Sequence, residues 1–481
     1  MVSSSLDSVP ARSRPTATIQ EHFLFVTDPM QSHIDPARRL AVRVAAAMPN
    51  ARVTFSTAVS GHRHMFPHLT SPDGEVVQGV VSFIPYSDGF DSGFNPDKHG
   101  HGVSAYRERA REVGSETLAS IVARLARWGH PVTRVVYTAL VGWVPAVVRA
   151  HGVPAALYWV KPATVFAVYY HYFHGHGALL DSSCASDVAD PHAAVRLPGL
   201  PPLKADAIPS FASMASPGSR NYLTLDMLRD IFLALDEHRP TAVLVDTFDE
   251  LEPEALRAVP GFNLVAVGPV VVDEPCRPCV ELFQPNDATA YMDWLDTKPA
   301  RSVVFVSFGS ILSLSKRQDE ELRRGLEATG RAYLLVARKG NTGGGGSDSG
   351  QGKGMVVEWC NQTKVLSHGA VGCSVTHCRW DSTLESITGG VPMVAVPRWA
   401  DQPTVAALVE ASAGVGVRAW VDGDGVVGRG ELQRCVEMVM GNTDSASAVR
   451  ARAECWGQRA KEAAAVGGTS HRNLRAFASG L

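Results

Sequence analysis

One pattern constrains this chain more than any other: short apolar runs alternate with helical stretches in one block and, after a break, in a second. From His22 the run Phe-Leu-Phe-Val is followed by polar residues and then by a helical pattern from Pro36 to Ala47. The same alternation returns at Arg52 to Ser56, at Val135 to Tyr137 with a helix from Pro145 to Ala150, and at Ala155 to Val160 with a helical stretch to Phe173. Strands that alternate with helices predict βαβ units and a parallel sheet. Around Asp273 to Asp287 the composition turns to Pro, Cys and Asp without periodicity, which marks a boundary between two such sheets. The second block restarts with a strand at Val303 to Val306, a turn at Ser307 to Ser310, a helix from Gln318 to Gly330 and a strand from Tyr333 to Ala337.

Composition narrows the function. With 481 residues, 45% hydrophobic and 19% charged, the chain can bury a large core and should form two or three domains. The formal charge is −3, without the positive excess that binding a phosphate backbone demands, so nucleic acid is not an expected partner. No stretch reaches the roughly 18 uninterrupted apolar residues of a membrane span, and Arg149, Lys161 and Pro162 break the most apolar regions. The expectation is a monomer in the cytoplasm. The first 20 residues lack an apolar h-region and read as a disordered leader, with a transit peptide as the alternative. Cys276 and Cys279 form the one C-x-x-C pair and have no second pair or His-x-His partner, so no metal site is expected. Gly352 and Lys353 are adjacent in a Gly- and Ser-rich stretch from Asn341 to Gly354. Ser347 and Gly354 stand where a phosphate loop needs Gly and Ser or Thr, which leaves a flexible surface loop.

The chemistry concentrates between Trp359 and Gln402. Ala370 to Cys378 reads as a buried strand, and Ser382-Thr383-Leu384-Glu385 as a helix start with Ser as N-cap and Glu three residues on. A helix N-terminus after a parallel strand is an anion site, because free N–H groups and the positive end of the dipole meet there. Trp359, Gln362, Val365, Leu366, His368, Thr376-His377-Cys378, Trp380, Ser382, Glu385, Gly390-Val391-Pro392, Pro397 and Asp401-Gln402 together resemble the signature box of plant family 1 UDP-dependent glycosyltransferases. The similarity runs from Phe25 to Ser470-His471-Arg472-Asn473-Leu474, and Phe248 to Glu254 with Gly268-Pro269 resemble the branch of anthocyanidin 5-O-glucosyltransferases and crocetin glucosyltransferases.

That resemblance implies an α/β GT-B fold of two Rossmann-like domains facing a cleft. It places an acceptor-binding domain at 21–270, a linker at 271–295, a UDP-sugar-binding domain at 296–455 and, at 456–481, a C-terminal helix that packs back on the first domain. It implies UDP-glucose as co-substrate, no further cofactor, and a small lipophilic acceptor such as a flavonoid, phenolic acid, auxin or apocarotenoid acid. The donor residues it implies are Ser310, Trp359, Gln362, His377, Trp380, Asp381, Ser382, Glu385, Trp399, Asp401 and Gln402. Trp359 offers a face for a uracil ring, although an ordinary core Trp reads the same in isolation. Glu385 suits a ribose diol, and a capping box with Ser382 also accounts for it. Asp401 and Gln402 are placed to bracket sugar hydroxyls, and Gln at the last position goes with glucose donors in this family.

On the acceptor side, His33 follows the first strand in a loop, with a ring pKa suited to taking a proton, and matches the family's catalytic His. The family commonly pairs it with an Asp after a Val-Tyr strand, where this chain has Thr138; Thr138 is a candidate to bond the ring or the sugar, and Asp28 is a candidate substitute carboxylate. Tyr86, Phe90, Trp159 and Tyr169 are the candidate acceptor-pocket aromatics. Arg379 and Asp381 depart from the family's Gly and Asn. Asp381 is expected to repel a diphosphate unless Arg379 pairs with it, and losing Gly is expected to restrict a tight turn. Further departures are Ser32, Asp35, Asp246 and Asn361. A nucleotide-sugar-binding protein with weakened catalysis, or a transferase using UDP-galactose or UDP-xylose, are the alternatives.

Overall fold

The computed structural model describes residues 20–71, 73–95, 103–184, 193–210, 220–237, 242–270, 290–309, 314–337 and 353–480. The expected leader up to residue 19, residues 271–289 of the linker, Cys276, Cys279, Ser310 and most of the Gly-rich loop lie outside the described residues.

The first lobe runs β1 (His22–Thr27), α1 (Gln31–Ala47), β2 (Arg52–Thr57), α2 (Val59–Met65), β3 (Val76–Gln78), β4 (Val81–Phe83), α3 (Val103–Arg127), β5 (Arg134–Thr138), α4 (Val144–Arg149) and β6 (Ala155–Trp159). It continues through α5 (Ala163–His171), α6 (Gly177–Cys184), a small hairpin of β7 (Ala194–Val195) and β8 (Leu203–Lys204), α7 (Arg220–Asp236), β9 (Ala242–Val245) and β10 (Asn263–Ala266). The second runs α8 (Ala290–Asp296), β11 (Val303–Ser307), α9 (Lys316–Ala328), β12 (Ala332–Val336), β13 (Gly354–Val357), α10 (Gln362–Leu366), β14 (Val371–Thr376) and α11 (Trp380–Thr388). Then come β15 (Met393–Ala395), α12 (Gln402–Ala407), β16 (Gly416–Arg418), α13 (Arg429–Met440), α14 (Asp444–Ala464) and α15 (Thr469–Ala478).

Eight strands form the first sheet in the order β10-β9-β6-β5-β1-β2-β4-β3, and six form the second in the order β13-β12-β11-β14-β15-β16. Apart from the β3–β4 edge, every pair in the two sheets is parallel. The central strands β1 and β14 are buried along their whole length, as continuous apolar runs covered by helices on both faces must be. Leu474 and Ala478 of α15 sit in the core of the first lobe with Leu40, Val44 and Phe25, so the chain's last helix returns to the lobe where it began. The boundary expected at 455/456 falls inside α14. No helix among the described residues is long and apolar enough to cross a membrane.

Two of the helix starts that differ from expectation matter for the site. α1 begins at Gln31 rather than Pro36, because Met30 O accepts from both His33 N and Ile34 N, so His33 lies in the first helical turn and not in a loop. α11 begins at Trp380 with Arg379 as its N-cap, so Ser382 is not the cap and no capping box forms with Glu385. The turn into α11 is made at Cys378, whose φ of +66° redirects the chain before Ser382 is reached.

Candidate active site

In parallel sheets of this kind ligands bind beyond the carboxyl ends of the strands. β1 delivers Asp28 and then His33. The ring is 8% exposed, its Nδ1 lies 3.9 Å from Asp28 Oδ1, and that nitrogen has no hydrogen-bond partner among the described residues. Burial, then the charges of Lys161 and Arg379, lower the His33 pKa to about 3, with Asp381 opposing, so the imidazole is neutral at neutral pH. Burial likewise pushes the Asp28 carboxyl up to about 8 against hydrogen bonds from Thr27 and the Met30 N–H. Thr138 ends β5, the neighbour of β1, and is 1% exposed. Its hydroxyl has no partner among the described residues, so the expected bond from Thr138 to the ring is not made here.

Across the cleft β14 ends at Thr376 and presents His377, 6% exposed, with its Nδ1 unpartnered among the described residues. Burial first, then Arg379, lowers its pKa to about 4. Gly309 has φ +70°, and a Cβ there would stand 3.0 Å from His377 Cε1, so only glycine lets the turn after β11 close on this ring. Arg379 has φ −68° and ψ 136°, extended backbone that any residue adopts, so the expected need for glycine at 379 is not present. Its guanidinium forks onto Asp381, Nε to Oδ1 at 2.6 Å and Nη2 to Oδ2 at 2.5 Å, while Asp381 Oδ1 also accepts from Ser382 N at 2.9 Å. Burial works against the Asp381 charge, but Arg379 and these hydrogen bonds prevail and its pKa falls. The anion that the sequence leaves facing a diphosphate is therefore neutralised in place.

Glu385 accepts from Gln362 Nε2 at 2.7 Å, from Thr363 Oγ1 at 3.1 Å and, from the other lobe, from Arg39 Nη1 at 2.9 Å. Trp359 is half-buried just before α10, which Asn361 caps by accepting from Lys364 N at 2.9 Å. The Trp380 indole is 2% exposed and donates to Asp246 O at 2.6 Å, tying the lobes together, so its side chain is a strut and the N–H groups of Trp380 and Asp381 are what the α11 first turn presents. Ser382 is 7% exposed in that turn. Gln402 Oε1 accepts from Arg398 N at 2.8 Å and Trp399 N at 3.1 Å, which folds the loop carrying the half-buried Trp399. Asp401 meets Lys161 Nζ at 2.5 Å.

The four acceptor candidates divide. Tyr86, Trp159 and Tyr169 are at most 2% exposed and belong to the lobe's core, with the Tyr86 hydroxyl donating to Thr27 O and the Trp159 indole to Pro162 O. They back the cleft rather than line it. Phe90 is half-buried and packs with Phe94 and Tyr106 at 5.2 Å from each, so of the four candidates it is the one that keeps an accessible face. The expectations from sequence did not include Arg39 or Lys161 as site residues. Lys161 was visible as the lone cation in an apolar run, but its partner stands in the other half of the chain.

Two parallel-sheet lobes, a buried neutral His at the end of the first central strand and a helix N-terminus with a second buried His at the end of the other define a GT-B nucleotide-sugar transferase. The UDP-glucoronosyl and UDP-glucosyl transferase family model matches residues 283–443. The chain is 37% identical to the chloroplastic crocetin glucosyltransferase of Gardenia jasminoides over 95% of its length and 97% of that protein's. It is 38% identical to anthocyanidin 3-O-glucoside 5-O-glucosyltransferase 1 of Perilla frutescens, over 95% of its length and 98% of that protein's. The crystal structure of Os79 from O. sativa in complex with UDP superposes with a TM-score of 0.78 at 28% identity, covering 96% of this chain and all of that one. The chain belongs to the plant UDP-dependent glycosyltransferases and is an enzyme of that family.

Proposed function

We propose that the enzyme moves glucose from UDP-glucose, with inversion, to a hydroxyl or carboxyl of a small lipophilic metabolite of the flavonoid, phenolic acid, auxin or apocarotenoid class. The observation that carries this reading is His33: buried, neutral and within charge reach of Arg379 and Asp381 at the start of α11, it is a base standing beside an anion site. His33 takes the acceptor proton as the acceptor oxygen attacks the anomeric carbon from the face opposite UDP. The N–H groups of the α11 first turn, with His377, receive the charge that develops on the departing diphosphate. Trp359 stacks on uracil, Gln362 and Glu385 take the ribose, and Asp401 and Gln402 the sugar hydroxyls. Gln402 favours glucose over galactose or xylose as the donor sugar. The enzyme works as a cytoplasmic monomer, with the sugar nucleotide as its one co-substrate.

UDP release from UDP-glucose across a panel of flavonoids, phenolic acids, auxin and apocarotenoid acids tests this against His33→Ala. Acceptor-dependent release that vanishes in the variant is expected. UDP-glucose binding without release from any acceptor would favour the binding-protein reading, and release restored by UDP-galactose or UDP-xylose alone would correct the donor.

A further inference from the structure

Lys161 interrupts the most apolar stretch of the first lobe, and the backbone around it is clamped. The Trp159 indole donates to Pro162 O at 3.0 Å. The Glu252 carboxylate, 3% exposed, accepts from Ala163 N at 3.1 Å, Thr164 N at 2.9 Å and Thr164 Oγ1 at 2.8 Å. The ammonium projects from this corner to Asp401 Oδ1, 2.5 Å away, with side-chain exposures of 31% and 7%. The Asp401 loop is equally fixed: Ala400 O accepts from Ser210 N at 3.0 Å, Thr404 Oγ1 donates to Ala207 O at 2.7 Å, and Gln402 Oε1 accepts from the N–H groups of Arg398 and Trp399. An ion pair anchored at both ends in packed backbone differs from a surface bridge between two free side chains.

The pair also sits where the chemistry converges. The charge of Lys161 reaches His33, and that of Asp401 reaches both His377 and Tyr169, so this cross-lobe pair is felt by the buried His of each lobe. A sugar hydroxyl is both donor and acceptor. A carboxylate oxygen beside an ammonium N–H satisfies both roles at once, and Lys has two N–H groups left after bonding Asp401.

Resting on the reading of this cleft as a UDP-sugar site, we infer that Lys161 is a sugar-recognition residue supplied by the acceptor lobe, forming with Asp401 a donor–acceptor pair that brackets adjacent hydroxyls of the donor hexose. Each lobe contributes one half of the pair, so recognition of the sugar requires the two lobes to stand in this arrangement, whereas UDP lacks the hexose and does not reach it.

The test is calorimetric titration of wild type, Lys161→Met and Lys161→Arg with UDP, UDP-glucose and UDP-galactose. Lys161→Met should weaken UDP-glucose about tenfold or more, the scale of a lost hydrogen bond to a charged group, and leave UDP within about twofold. The preference for UDP-glucose over UDP-galactose should narrow. Lys161→Arg, which keeps charge and packing, should retain most of the affinity and serves as the check should the Met variant fold poorly. Parallel loss of UDP and UDP-glucose, or no loss of either, overturns the role of Lys161 while the cleft's UDP-sugar reading stands. Wild type that binds neither ligand overturns that reading and this inference with it.

Discussion

Arg39, on the same helix as His33, donates across the cleft to Glu385 Oε1 at 2.9 Å. Its charge is opposed by burial but upheld by Glu385 and Asp35. The helix that carries the base thus also holds the carboxylate assigned to the ribose. Arg39→Met is expected to weaken UDP binding about fivefold, because it removes a cation from the diphosphate's surroundings and leaves Glu385 uncompensated; partial exposure keeps the effect well below that of a sealed pair. Arg39→Lys should lose less. Calorimetry with UDP decides it, and unchanged affinity in the Met variant would reduce Arg39 to a spectator.

The Arg379–Asp381 fork changes what the sequence alone leads one to expect. Read from the sequence, replacing both residues by the family's Gly and Asn relieves a repulsion and tightens UDP-glucose binding. With the two side chains bonded to each other, Arg379→Gly alone should weaken UDP-glucose binding several-fold by exposing the Asp381 charge, and adding Asp381→Asn should bring it back near wild type. Dissociation constants for the two single variants and the double variant measure this directly. A double variant clearly tighter than wild type would mean that the fork opens when donor binds.

The pH profile should follow Asp28 rather than His33. His33 is held down to about 3 and so stays neutral throughout the working range, whereas Asp28 is pushed up to about 8 by burial. Tyr86 and Tyr106 face the same carboxyl and stay protonated, since burial raises both. At 3.9 Å, ionised Asp28 favours by its charge the tautomer with the proton on Nδ1 and leaves Nε2 free as a base; protonated Asp28 removes that bias. Turnover should therefore climb towards pH 8 and above, and Asp28→Asn, whose carbonyl still accepts the Met30 N–H, should flatten that climb and lower kcat more than it alters KM. Stability runs the other way. The folded pKa lies above the unfolded one, so the native state holds an extra proton between about pH 4 and pH 8 and loses stability as pH rises through that window. Melting temperatures across the window should slope less in Asp28→Asn, and identical kinetic profiles would remove Asp28 from the mechanism.

Much of this was legible in the sequence because it is local. Strand β14 and the helix after it follow from an apolar run and its breakers, and the doubly covered sheets follow from the alternation of elements. The helix starts were not legible: Ser382 and Glu385 mimic a capping box, and only the left-handed turn at Cys378 moves the start forward. Partners that lie far apart in sequence were hidden for a different reason. Arg39 and Glu385 are 346 residues apart, and Lys161 and Asp401 are 240 apart, distances over which no periodicity carries information. Nor does an apolar pattern separate Trp159, sealed in the core, from Phe90, which keeps an exposed side.

The returning helix α15 couples the fold's two ends to the cleft. Ser470 Oγ donates to Gly268 O at 2.5 Å, and Asn473 Nδ2 to Ala266 O at 3.0 Å and Asp249 Oδ2 at 3.2 Å. Leu474 and Ala478, both fully buried, fill the core against α1, the helix that holds His33 and Arg39. Leu474→Ala should cost about 2–5 kcal/mol by opening a cavity there, seen as a lower melting temperature. Ending the chain after Gly468 should lower both the melting temperature and turnover, because α1 loses one of its covering faces and the base its fixed support. A truncated enzyme that melts and turns over like wild type would show that α1 is positioned by the first lobe alone.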